Sequence, residues 1–210
     1  PTYNEYFIIS PVEKILEISQ LGRGTTATSL RFATACGMSD RLRLDLVLND
    51  FVASALINNK VDILSDGSPW RPLINVKDMA RAIEWAILRD ESIGSPYLAI
   101  NTGSNSWNYK VSEIAEAVAK KIENCDVNIN KAAAPDKRSY KVNFNLYESL
   151  APKHQPVYTL QDTIDELIIG ITEIKHLIKK DFRSSDFMRL HILETHLKSN
   201  RLSDDLRWIT

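Results

Sequence analysis

The chain has 210 residues, 44% of them hydrophobic, and its 26 Lys+Arg against 27 Asp+Glu leave a formal charge of −1. That is the make-up of a packed globular protein, and it excludes a global basic field that would hold nucleic acid or an anionic membrane by charge alone. Apolar stretches such as Leu167 to Ile171 fall far short of the ~20 residues of a membrane span, no signal segment opens the chain, and Cys36 and Cys125 lack metal-binding or disulfide spacing.

These features point to a cytoplasmic protein whose anion sites, if any, are built locally. The chain opens on Pro1 and enters a helical pattern at once, which suggests a fragment or a processed chain. Pro11 starts a predicted helix over 11–21, with Val12, Ile15, Leu16 and Ser19 on one face and Gly22 and Gly24 as stops. Thr26 to Thr34, rich in β-branched and aromatic residues, reads as one strand. Leu44 to Ile57 has helical spacing and ends at Asn58-Asn59, and Val61 to Leu64 is a short strand.

Asp66-Gly67-Ser68-Pro69 is a turn, Arg71 to Val76 a strand, and Lys77-Asp78 begin an amphipathic helix through Leu88. A strand at Tyr97 to Asn101, a helix at Val111 to Ile122 and a strand around Val127 and Ile129 continue the alternation. Thr159 caps a helical run through Ile178, with Gln161 and Asp162 in its first turn, and Phe187 to Leu197 is a further helix. Ala132 to Pro135 and Ala151 to Pro156 read as linkers. The alternation predicts an α/β fold with parallel pairing.

Common chemical signatures are absent from this sequence: no GxGxxG, Walker A, HExxH or GxSxG occurs, and the four histidines, all in the C-terminal third, read as surface or packing residues. Two segments stand out. A rigid turn delivers Arg71 beside Trp70 at a strand start, and Asp136 to Lys141 places three cations within five positions. Each reads either as a site that orients a guanidinium toward a phosphate or as a solvated charged surface.

At these residues the sequence resembles the extended short-chain dehydrogenase/reductases, the NAD-dependent nucleotide-sugar epimerases and dehydratases. Leu30 to Gly37 is similar to that family's strand and turn past the nicotinamide, with Cys36 where a Tyr commonly stands. Arg43 to Asp50 resembles the next helix. Asp66 through Arg71 to Ala80 resembles the most diagnostic stretch, with Asn75 in place of the usual His. Asn101 to Asn105, Asn108-Tyr109 and Asp136 to Tyr140 complete the order, and Phe182 to Ser185 and Asp204 to Trp208 look like the tail of one subgroup.

The resemblance implies the C-terminal part of a Rossmann-like parallel sheet, a small α/β substrate-binding domain and a helical tail, divided at 1–37, 38–158 and 159–210. It implies NAD as cofactor, with Phe32 and Ala33 beside it, and a nucleotide diphosphate sugar as ligand, held by Thr34, Asn49, Arg71 and Arg138. It places the catalytic base at Tyr6. The lysine that should follow four residues later is Ser10, and the alternative alignment on Ser10-Pro11 puts Phe7 and Pro11 at the pair, so either loses the charge that lowers the tyrosine pKa. The implied function is transient NAD-dependent oxidation of the sugar by an epimerase or dehydratase. The alternative is a non-catalytic remnant that binds a nucleotide sugar or pairs with a full-length subunit. A helical interaction module in the tail is a third reading, and dimerisation through the 11–21 helix is a further implication of the family.

Overall fold

The computed structural model describes residues 2–3, 11–20, 24–133, 139–178 and 181–209. In the first half strands and helices alternate as β1 (Thr2–Tyr3), α1 (Pro11–Gln20), β2 (Ala27–Phe32), β3 (Thr34–Cys36), α2 (Val47–Asn58), β4 (Lys60–Ile63), β5 (Trp70–Asn75) and α3 (Val76–Leu88). There follow β6 (Tyr97–Thr102), β7 (Asn108–Lys110), α4 (Val111–Ala119), β8 (Asp126–Ile129), β9 (Lys141–Val142), α5 (Asn145–Leu150), α6 (Leu160–Ile174) and α7 (Arg189–Lys198).

The pairs β1·β9, β2·β6, β3·β5 and β4·β8 are parallel, and β5·β7 is antiparallel. The strand expected over 26–34 is two strands, because the chain changes partner in its course. Ala27 to Phe32 runs beside Tyr97 to Thr102, the Ala33 amide donates to the Thr102 carbonyl at 3.0 Å, and Thr34 then takes Leu73 of β5 as its partner. Local propensity reads both halves as extended and carries no information on which neighbour each will find.

The two faces of β2 bind different helices. Ser29 and Arg31 point to α1, where both Arg31 Nε and Nη2 reach the Glu13 carboxylate at 2.7 Å and Ser29 Oγ donates to it at 2.8 Å. Leu30 and Phe32 point the other way, into a cluster of Ala82, Trp85, Ile100 and Tyr147 between α3 and α5. Helices α1 and α3 therefore pack on opposite faces of this strand pair, but α1 is turned from its expected apolar face. Its Glu13 is 7% exposed while Val12 and Ile15 are 65% and 66% exposed. A bidentate charge-assisted pair, rather than the apolar stripe, fixes the helix to the strand.

The largest core lies under α2, α4 and α6. Leu48, Phe51, Val52, Ala53 and Ala55 of α2 are buried with Ile114, Val118, Ile164, Leu167 and Ile171. The helix α2 starts at Val47, three residues later than expected, and ends on Asn59 at φ 53°, a left-handed position that asparagine tolerates. Helix α4 ends at Ala119 rather than Ile122. The predicted run to Ile178 is α-helical to Ile174 and tightens into a 3-10 turn at Lys175–Leu177. The segment 151–156, expected as a linker, is packed: Ala151 is buried, and Gln155 Nε2 donates to the Tyr147 and Ala151 carbonyls.

Thr159 caps α6 as expected: its hydroxyl accepts from the Asp162 amide at 3.1 Å, and its own amide donates to the Asp162 carboxylate at 2.9 Å. Hydrogen bonds from the Thr159 side chain and backbone hold the Asp162 carboxyl below the usual aspartate range. A group depressed in the folded state contributes stability above its unfolded pKa and loses it as pH falls through the folded value. The stability gap between the native chain and Asp162→Asn should therefore be present at neutral pH and shrink on strong acidification. Thermal unfolding of both proteins across the acid range checks this, and a gap that does not change with pH would refute it.

Candidate functional site

An open cleft of about 640 Å³ lies where β3 meets β5, and three groups of residues line it. Thr34, Arg71, Ser65 and Tyr140 supply hydroxyls and a guanidinium. Leu46, Val47, Phe51, Ile63, Leu64, Val111 and Met188 form an apolar part, in which Leu64 is 85% exposed. Asp45, Asp50 and Asp62 add carboxylates. The cleft is thus amphipathic and carries both signs of charge.

The turn before β5 aims Arg71. Asp66 Oδ1 accepts from the Ser68 amide at 3.1 Å, Gly67 sits at φ 80°, and the Gly67 carbonyl accepts from the Ser112 amide at the start of α4. This Asx-type turn needs the glycine, because an L side chain at that φ is strained and its Cβ would stand 3.1 Å from Ser112 Cβ. Arg71 Nη1 donates to the Trp70 carbonyl at 2.9 Å. The other face of this strand start is stiffened by Lys141 Nζ, 3.6 Å from the Trp70 ring centroid.

Arg138 and Tyr6 lie outside the described residues. The residue after Arg138 is nevertheless anchored beside Arg71: the Trp70 amide donates to Ser139 Oγ at 3.1 Å, and the Tyr140 amide donates to the Trp70 carbonyl. The two segments singled out in the sequence thus meet across 69 positions.

Phe32 and Ala33 stand at the strand switch, away from the cleft lining. Ala33 is buried against Ile74 and Phe144, and Phe32 is half-buried. Asn49 is 1% exposed, and its amide serves the fold: Oδ1 accepts from the Gly37 amide at 3.0 Å and Nδ2 donates to the Arg43 carbonyl at 2.9 Å. It bridges the turn after β3 to the segment before α2 and leaves one N–H uncommitted.

Asn75, at the position of the family's usual histidine, is likewise structural. Its Oδ1 caps α3 by accepting from the Lys77 amide at 2.8 Å, and its Nδ2 donates to Thr163 of α6 at 2.9 Å. Cys36 is fully buried with its Sγ donating to the Ile74 carbonyl, and burial pushes its thiol far above the ordinary range.

Of the carboxylates, Asp45 is held by Arg43 at 2.6 and 3.0 Å, which keeps its carboxyl below the usual range. Asp62 pairs with Lys60 at 2.8 Å and accepts from Asn128 Nδ2. Sequence reasoning missed Asp50, Asp62, Leu64 and Met188. Asp50 falls in the second turn of the helix expected from Leu44 and reaches the first turn only because α2 begins at Val47, whereas Met188 carries no sequence signal. Among the described residues no group of His, Cys, Asp and Glu is arranged to hold a metal ion. No helix of the described residues is long and apolar enough to cross a membrane.

Residues 12–103 match the sequence profile of the NAD dependent epimerase/dehydratase family. Among solved structures, MoeE5 in complex with UDP-glucose and NAD is 20% identical with a TM-score of 0.60, covering 82% of this chain and 60% of its own. The epimerase Mth375 from Methanothermobacter thermautotrophicus is 21% identical with a TM-score of 0.66, over 80% of this chain and 50% of that one. A variant of UDP-glucuronic acid 4-epimerase from Bacillus cereus, in complex with a fluorinated UDP-glucuronic acid and NAD, is 16% identical with a TM-score of 0.60, over 83% and 57%. At these identities the likeness shows the fold, and the chain spans half to three-fifths of the length of these proteins.

Proposed function

We propose, from the match of residues 12–103 to the NAD dependent epimerase/dehydratase profile, that this chain provides the nucleotide-sugar side of an NAD-dependent epimerase or dehydratase. The observation that carries the reading is the convergence at Trp70. One hydrogen-bonded junction brings Arg71 to the cleft and holds Ser139, next in the chain to Arg138. A diphosphate asks for fixed cationic donors; Arg71 would supply a planar guanidinium from the cleft, and Arg138, outside the described residues, would supply a second. Thr34 adds a hydroxyl, and Asp50 and Asp62 offer acceptors for ribose or sugar hydroxyls. Asn49, buried behind the lining, acts on the cleft only by fixing the turn after β3.

NAD, when bound, supplies the hydride acceptor for sugar oxidation. Of the residues that the resemblance places beside it, Ala33 is buried against Ile74 and Phe144 and only Phe32 is part-exposed at the strand switch. The described residues hold no glycine-rich strand-to-helix turn to cradle a pyrophosphate. The cofactor fit is therefore partial, and the chain's own work is to bind and orient the sugar nucleotide. Tyr6 would be the base, in a sequence without the lysine that would activate it.

The test is calorimetric titration of the native chain, Arg71→Lys and Arg138→Lys with UDP-glucose. Lysine keeps the charge but removes the fork, so affinity is expected to fall by about 1–3 kcal/mol in each variant. Equal affinities for all three proteins would overturn the assignment.

A further inference from the structure

Resting on the nucleotide-sugar reading of the cleft, we propose that the tail is a wall of that site and that Met188 is a specificity-determining residue, setting the size of the uncharged part of the ligand. The tail does not simply follow α6 outward. Phe182 is 1% exposed in the main core, Ser185 is 2% exposed, and Phe187 and Met188 pack on the same core. Three backbone bonds carry the chain through this stretch: the Ser185 amide donates to the Phe182 carbonyl, the Met188 amide to the Ser185 carbonyl, and the Leu44 amide to the Phe187 carbonyl at 3.3 Å.

The last of these bonds clips the tail to the segment that enters the cleft at Asp45 and Leu46. Met188 is thereby held, half-buried, with part of its side chain on the core and part in the cleft lining. Immediately after it α7 begins and buries none of its residues, so the tail's anchorage lies in 182–188 and not in the helix. Methionine is unbranched and polarizable and follows the shape of what it touches. Next to Leu46 and Val47 it extends the apolar part of the lining, where a phosphate gains nothing and a base or sugar ring gains contact.

The experiment titrates inorganic pyrophosphate and UDP-glucose into the native chain, Met188→Ala, Met188→Trp and Arg71→Ala, with thermal unfolding to confirm that each is folded. Pyrophosphate carries only the charged part of the ligand. Met188→Trp should weaken UDP-glucose by about tenfold or more, and Met188→Ala by a smaller factor, while pyrophosphate affinity stays unchanged. Arg71→Ala should weaken both ligands. If Arg71→Ala weakens UDP-glucose but neither Met188 variant does, the role of the tail is overturned and the cleft reading stands. If the native chain binds no UDP-glucose, or Arg71→Ala leaves its affinity intact, the cleft reading fails and takes the tail with it. Should Met188→Trp fail to fold, Met188→Ala decides: affinity equal to the native chain overturns the role.

Discussion

Replacing Arg89 with methionine is expected to lower the free energy of unfolding by about 3 kcal/mol or more, the scale of several buried acceptors losing a charged donor. Arg89 is 3% exposed and follows directly on α3. Its Nε donates to Thr28 Oγ1, Nη1 to the Ile93 and Ser95 carbonyls, and Nη2 to the Ala27 carbonyl, all between 2.7 and 3.0 Å. One guanidinium thus ties the end of α3, the start of β2 and the loop between α3 and β6.

Burial lowers the pKa of Arg89, yet arginine starts so far above neutrality that it stays charged. The neighbouring Asp90 carboxylate favours the charge, and the carbonyl oxygens that the guanidinium reaches add their dipoles. Methionine fills much of the volume and leaves those oxygens without their donor. Arg89→Lys should recover only part of the loss, because a single ammonium cannot reproduce the spread of the fork. Urea denaturation measures both variants, and a loss below about 1 kcal/mol for the methionine would refute the account.

The second large effect is expected at Phe144, where alanine should cost about 3–5 kcal/mol. Phe144 is 1% exposed and packs with Ala33 and Ile74 at the point where the chain leaves β6 for β5. Gly103 makes room for it: a Cβ there would stand 2.8 Å from two atoms of the ring. The Phe144 amide is also held, by Asn105 Oδ1 at 3.1 Å.

Removing the ring opens a cavity beneath Ala33, and Thr34 of the cleft follows Ala33 directly. Phe144→Ala should therefore weaken UDP-glucose binding as well as the fold, whereas Phe144→Leu should cost less in both. Denaturation and titration of the two variants test this. Native stability in Phe144→Ala would show that the ring does not support the strand switch.

Much of the fold was readable in one dimension because it rests on local rules. The strand and helix alternation, the turn at Asp66 to Pro69, the stop at Asn59 and the cap at Thr159 each follow from residues within four or five positions of one another. The parallel sense of the pairing between Ala27 to Phe32 and Tyr97 to Thr102 was legible for a related reason, since strands joined through helices run parallel in an α/β fold, whereas their adjacency was not. Arg71 stood out because a rigid turn and a Trp precede it.

What only the tertiary structure decided involves partners far apart in the chain. The split of one extended stretch at Ala33 depends on which strand lies alongside, and the turning of α1 depends on Arg31, 18 positions from Glu13. Asn49 and Asn75 have the composition of ligand-binding residues, and the structure spends their amides on Gly37, Arg43, Lys77 and Thr163. Met188 reaches the cleft because Phe182 is buried and Leu44 holds the Phe187 carbonyl, contacts that no periodicity encodes. A side chain's conformational preference is a property of its neighbours in sequence, whereas its accessibility and its spare hydrogen bonds are properties of its neighbours in space, and a binding site is made of the second kind.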